Sequence, residues 1–295
     1  MLRTPLLELL DIEHPIIQAG MGRFGSGAAL AAAVSNAGAI GTIGAAKRSP
    51  EDLRAELKAV RELTSRPFIV NFTKPWLQLH PECLDCALAA GPRAISVAQG
   101  LPGDFVSRIH DSGALVIAQV QTVEQARLAA DEGADIIIAQ GAEAGGVGGF
   151  GGRIGGSVLV PQAVDALSPL PVVAAGGITD GRGLAAVLLF GAAGANIGTR
   201  FLASVEASLG DDWKQRLVEA PLDGTVRFDA SAAVVPGDER GPGQALDDAI
   251  ASGQGVGAIG SVETAADIVA SLVRGAEEAL SRAASLVSEE PVAAR

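Results

Sequence analysis

The residues best placed to do chemistry in this chain are glycines and carboxamides rather than acids and bases. Two glycine steps, Ala175-Gly176-Gly177-Ile178 and Asn196-Ile197-Gly198-Thr199-Arg200, each close a short apolar run. A glycine turn between a strand and a helix offers backbone N–H groups to an anion with no Cβ in the way. Thr179 or Asp180 can cap the helix after the first step, and Arg200 could add charge beside the second. A third stretch, Ile136 to Arg153, is a β-branched run ending in Gln140-Gly141, followed by a glycine-rich loop that includes Gly145 and Gly146. Such a loop lets the backbone approach a flat or anionic ligand. Gln18, Asn71, Gln99 and Gln119 stand at or near the ends of other apolar runs. A carboxamide both donates and accepts hydrogen bonds, as the N- and O-rich edge of a planar heteroaromatic ring requires.

These positions need elements to hold them. Eight short β-branched runs alternate with Ala/Leu-rich amphipathic segments. The predicted strands are 15–19, 39–44, 68–72, 94–98, 115–120, 135–139, 172–175 and 195–198. The predicted helices between them are 27–36, 50–63, 81–90, 104–112, 122–132, 161–167 and 181–190, several ending in Gly-Ala just before the next strand. Near-continuously apolar strands, each followed by a helix, give the arithmetic of a (β/α)8 TIM barrel, an α/β fold with its chemistry at the carboxyl ends of the strands. The rival is an open doubly wound sheet, with Gly146, Gly148 and Gly151 as a dinucleotide fingerprint and Asp165 as the ribose acid. That fingerprint opens a helix directly, and 153–160 shows no clear helix start. In the barrel, the two glycine steps fall on the last two strands, where many barrels hold a phosphate. A phosphate cradle, carboxamide edge contacts and a glycine loop together suggest flavin mononucleotide (FMN).

Beyond the eighth strand the pattern changes. A helix is predicted over 206–219, an aperiodic stretch over 221–243 that could cover the site, a short helix over 244–252, and a closing helix over 262–286. The sequence shows no second core, so residues 1–295 are read as one domain with an appended segment at about 206–260.

The chain has 295 residues, 48% of them hydrophobic, which is ample for a large core. A net charge of −12 disfavours nucleic acid or an anionic membrane surface as a partner. Without an apolar run long enough to span a bilayer, and with Glu8 and Asp11 interrupting the N-terminal apolar stretch, a cytoplasmic protein is the simplest reading. Cys83 and Cys86 form one C-x-x-C whose flanks read as a helix, so a structural role is expected and no metal site. A small-molecule substrate is expected, and a homo-oligomer is left open.

Several segments jointly resemble the nitronate monooxygenase (2-nitropropane dioxygenase) family, which includes FMN-dependent enoyl-ACP reductases and NADH:quinone reductases. They are Pro15-Ile16-Ile17-Gln18-Ala19-Gly20-Met21-Gly22, Val70-Asn71-Phe72, Gln140 to Gly146, Ala174 to Gly183, and Asn196 to Ala203. The resemblance runs from about residue 5 to 206 and implies an FMN barrel. It implies FMN contacts from Ala19, Gly20, Met21, Asn71, Gln140, Gly145, Gly146, Gly176, Gly177, Asn196, Ile197, Gly198 and Thr199. Two positions depart from the pattern. Val147 stands where many members place a His that acts as base or donor, and Gly20 replaces a common proline. His80 and Lys74, after the third strand, are the remaining candidates to touch substrate, while His14 and His110 are read as structural and solvated. A nitronate, already deprotonated, needs no base. The expected activity is therefore FMN-dependent oxidation of an alkyl nitronate or similar small anion with O2. The alternatives are an NAD(P)H-dependent reductase of an enoyl thioester or quinone, and a flavin-binding protein with little catalysis.

Overall fold

A computed structural model describes residues 1–147, 154–222, 226–228, 232–235 and 250–286. The strands in chain order are β1 Ile16–Gln18, β2 Gly41–Gly44, β3 Phe68–Thr73, β4 Ala94–Ala98, β5 Leu115–Val120, β6 Ile136–Gln140, β7 Gly146–Val147, β8 Val172–Ala175, β9 Gly194–Ile197, β10 Val226–Phe228, β11 Ala232–Val235 and β12 Ile250–Ala251. Eight of these form one parallel sheet in the order β1-β9-β8-β6-β5-β4-β3-β2. The seam between β2 and β1 is closed by a bridge at Ile17 and Ile40. There the Gln18 N–H donates to the Ile40 carbonyl (2.9 Å) and the Ile40 N–H to the Ile16 carbonyl (3.0 Å). The sheet is thus a closed (β/α)8 barrel, and the doubly wound alternative is excluded.

Alternation along each strand divides the apolar residues between two cores. Phe68, Val70 and Phe72 of β3, Val116, Ala118 and Val120 of β5, and Ile137 and Ala139 of β6 face the surrounding helices. Ile17, Ile69, Ile117, Ile136, Ile138 and Val173 fill the interior. The N-terminal helix Pro5–Leu10 plugs the bottom of the barrel with Leu6 and Leu10, both fully buried. Going up each strand by two residues, this interior turns polar: Ile69 gives way to Asn71, Ile117 to Gln119, and Ile138 to Gln140.

Three boundaries differ from the sequence reading for a tertiary reason. Helix Gly156–Leu167 starts before Pro161, because the Glu143 carboxylate accepts the Gly156 N–H and so caps a glycine start. The helix expected from Glu206 begins at Asp211, since the Glu206 carboxylate is used elsewhere, accepting the Ala265 N–H (2.9 Å). Residues 250–251 of the expected short helix are strand β12, paired with β11; residues 244–249 lie outside the described residues. Strand β7 also pairs with β11, so the appended segment joins the barrel at the glycine loop. The closing helix Ala265–Ala284 crosses helix Gly181–Leu189 without intervening side chains: a Cβ on Gly275 would lie 3.2 Å from the Gly181 Cα, and one on Gly181 would overlap the Gly275–Ala276 backbone. No described helix is long and apolar enough to cross a membrane.

Candidate active site

The polar upper layer of the barrel opens into a cavity of about 760 Å³ at the carboxyl ends of the strands. All the residues that the family resemblance implies as FMN contacts line it: Ala19, Gly20 and Met21 after β1; Asn71 on β3; Gln140, Gly145 and Gly146 on β6 and its loop; Gly176 and Gly177 after β8; Asn196, Ile197, Gly198 and Thr199 on and after β9.

Local geometry explains the glycines. Gly176 and Gly177 have φ of +111° and +70°, conformations that a side chain disfavours, and they turn the chain back under the loop at Glu143 and Ala144. Gly145 is packed so tightly that a Cβ would meet the Gly253 nitrogen at 2.5 Å. Beyond Ala175 and Ile197 the parallel ladders have ended, and the first-turn N–H of Thr199 has no partner within its own helix, Thr199–Leu202. These backbone donors stand at the floor of the cavity, where the sequence reading expects an anion cradle. A strap from the appended segment completes it, where the Gly253 N–H donates to the Thr199 hydroxyl (2.9 Å) and Gly255 packs on Gly177 and Thr179. The glycines of that strap were missed in the sequence; the run Gly253-Gln254-Gly255-Val256-Gly257 was the signal.

The carboxamides divide by role. Gln18 is fully buried and does not reach the cavity; its Oε1 accepts the Thr42 N–H (2.9 Å), so this expected rim residue is a clasp on the barrel seam. Asn71, Gln99, Gln119 and Gln140 do line the cavity. Asn71 donates to the Ser96 carbonyl and hydroxyl, each at 3.3 Å. Gly20 lies directly against the Asn71 side chain, and a proline there would displace it. Gln140 accepts from the Gln121 amide (3.0 Å) and reaches the Gly145 carbonyl at 3.5 Å.

The candidate acid–base and anion-holding groups are not brought to the wall. The Lys74 ammonium donates to the Pro102 carbonyl (2.8 Å) and sits over the Phe105 ring. The His80 ring lies behind Trp76, their centroids 4.2 Å apart, with Nδ1 3.4 Å from Glu82. Val147 is held in the β7–β11 pair. Arg200, expected to add charge to the cradle, turns away: burial lowers its pKa and the Glu263 carboxylate, 2.7 Å distant, opposes that, while Nη1 donates to the Ser261 carbonyl. Cys83 is buried, and desolvation, reinforced by Glu82, pushes its thiol up to about 11, so it is inert as a nucleophile at neutral pH.

A cavity at this end of a closed barrel places the protein among the (β/α)8-barrel enzymes. The nitronate monooxygenase family model matches residues 3–83 and 78–233, and the chain belongs to that family, one of oxidoreductases whose members are in general flavoproteins. A 5-hydroxy-7a-methyl-1-oxo-octahydro-1H-indene-4-carboxyl-CoA dehydrogenase of Mycobacterium tuberculosis is 40% identical over 227 residues, which is 76% of this chain and 62% of that relative. This chain therefore spans less than two thirds of that relative's length. A probable nitronate monooxygenase of Staphylococcus saprophyticus is 34% identical over 76% of this chain and 75% of its own. Among solved structures, FabK from Thermotoga maritima superposes with a TM-score of 0.89 at 30% identity, covering 97% of this chain and 100% of that one.

Proposed function

We infer that the protein is an FMN-dependent oxidoreductase. The observation that carries this is one cavity in which a neutral, glycine-built anion cradle faces a rim of carboxamides, with no carboxylate or imidazole on its described wall. The backbone donors at Gly176–Gly177 and Gly198–Thr199 fit the phosphate of a mononucleotide, and Asn71, Gln119 and Gln140 fit the polar edge of its ring. Bound FMN supplies the redox chemistry. The chain orients the ring and shields it from water, and it offers no described proton acceptor at the wall. That favours a substrate already ionised, an alkyl nitronate oxidised with O2.

A second reading, NAD(P)H-dependent reduction of an enoyl thioester or quinone or the oxidation of a bulky thioester, is favoured by the large apolar side chains of the cavity. Trp76, Leu79, Leu209 and Trp213 line it. A CoA compound is named in the M. tuberculosis relative.

The test is an anaerobic absorbance spectrum of the FMN-reconstituted protein with a nitronate, with NADH or NADPH, and with an acyl-CoA. Bleaching by the nitronate alone supports the first reading, and bleaching by a nicotinamide or thioester alone supports the second. A protein that takes FMN but is bleached by none is a flavin-binding protein with little catalysis, and one that takes no FMN ends both readings.

A further inference from the structure

The chain carries 34 acidic and 22 basic side chains, yet the described cavity wall has no carboxylate and two cations, Arg23 and Lys47. Neither makes an ion pair with a described residue. Both stand on one lip, built from two turns that back onto each other. A Cβ on Gly44 would meet the Gly22 nitrogen at 2.5 Å, and one on Gly22 would lie 3.8 Å from the Ala46 carbonyl. Arg48, between the turns, locks them. Its buried guanidinium donates to the Gly44 carbonyl (2.9 Å), the Arg23 carbonyl (3.3 Å) and the Ser26 carbonyl (3.4 Å), and Glu56 neutralises it at 2.8 Å. Lys47 is held at φ +63°, a conformation costly for a residue with a side chain and maintained only because its surroundings fix it. Beside the cations lies Phe24, 59% exposed, with the Arg23 guanidinium 4.9 Å from its ring centroid.

We propose that this lip, formed by Arg23, Phe24 and Lys47, recognises the adenosine phosphate portion of a substrate or cosubstrate. The flavin cradle at β8 and β9 is built of neutral backbone donors, and neither Arg23 nor Lys47 is among the residues that the family resemblance assigns to FMN, which leaves the two cations to a second anion. A small alkyl anion would need only the charges. An exposed aromatic ring joined to a guanidinium adds a flat stacking surface for a purine, and Arg23, Phe24 and Lys47 are all exposed whereas Asn71 of the carboxamide rim is buried, so the lip meets the solvent-facing part of a longer molecule. Two molecules carry this chemistry, an acyl-CoA and a nicotinamide dinucleotide. The proposal rests on the barrel-oxidoreductase reading above and deepens it.

The test is calorimetric titration of AMP, inorganic phosphate, coenzyme A and NADP+ into FMN-loaded protein, repeated on the flavin-free protein. AMP is expected to bind at least about tenfold more tightly than phosphate. Arg23→Ala and Lys47→Ala are each expected to weaken AMP by about tenfold, with FMN content unchanged and affinity falling as salt rises. Tighter binding of coenzyme A assigns the lip to a thioester substrate, and tighter binding of NADP+ assigns it to the reductant. Absence of AMP binding at millimolar concentration, equal affinity in the variants, or loss of FMN from the variants would overturn the proposal. Failure to load FMN sinks the flavin reading alone, since AMP binding to the flavin-free protein still decides the lip.

Discussion

At the scale of single residues, the site depends on backbone shape more than on side-chain chemistry. Gly176, at φ +111°, is the sharpest case: a Cβ there would lie 3.0 Å from the Ala144 nitrogen and in a conformation that only glycine adopts cheaply. Gly176→Ala is expected to cost on the order of 1–2 kcal/mol in denaturant unfolding and to weaken FMN more than it weakens AMP at the lip. Equal loss at both would show a general unfolding effect. The glycines and carboxamides of the cavity were legible in the sequence because strand ends are legible and the barrel puts strand ends together. Side-chain direction was not. Arg200 follows the same strand end as Thr199, yet it turns away to meet Glu263, a partner sixty-three residues along the chain that no local pattern discloses. Gln18 looks like any rim amide until its carbonyl oxygen is found on Thr42.

At the scale of elements, caps and plugs can be tested separately from the site. Asp180 caps helix Gly181–Leu189 by accepting the Gly183 N–H at 3.0 Å and pairs with Arg182 at 2.6 Å. Burial raises its pKa, but the Arg182 and Gly183 hydrogen bonds outweigh this and hold it below the ordinary aspartate value. A depressed carboxylate stabilises the fold above its unfolded pKa of about 3.9 and loses that contribution as pH falls through its lower folded value. Asp180→Asn keeps a capping oxygen and removes the charge. Its deficit at neutral pH is expected to be a few tenths of a kcal/mol and to vanish only in urea midpoints measured at a pH below the depressed folded pKa of Asp180. Leu6→Ala opens a cavity in the plug helix Pro5–Leu10 and is expected to cost about 3 kcal/mol, with FMN affinity unchanged because the plug lies at the opposite end of the barrel. The eight strands were readable from β-branched runs between glycine turns. Strand β12 was not, since a pair of residues that owes its extended shape to a neighbouring strand carries no periodicity of its own.

At the scale of the whole molecule, the closed barrel keeps two functions apart. Its lower interior is an aliphatic core, and its upper interior is a polar basin whose described wall has two cations in a chain of net charge −12. An excess of negative charge over the rest of the surface repels anions except at that mouth, so association of an anionic substrate is expected to slow as salt screens the lip. Stopped-flow on-rates at two ionic strengths, compared between the native chain and Lys47→Ala, measure it: a salt slope that the substitution leaves intact would place the attraction elsewhere.

The crossing of Gly181 on Gly275 gives the molecule a lever. Helix Gly181–Leu189 carries the Asp180 cap at the end that joins the proposed phosphate cradle, and it rests on the closing helix with only hydrogen atoms between the two backbones. A side chain at position 275 is a wedge driven into that bearing, at a position that does not line the cavity. Gly275→Val is expected to leave the circular dichroism spectrum nearly unchanged while lifting the cradle and raising the FMN dissociation constant by about tenfold, the size of coupling that packed helices transmit between distant sites. Unaltered FMN binding in a folded Gly275→Val protein would show that the cradle is set by its own loop and not by the helix beneath it.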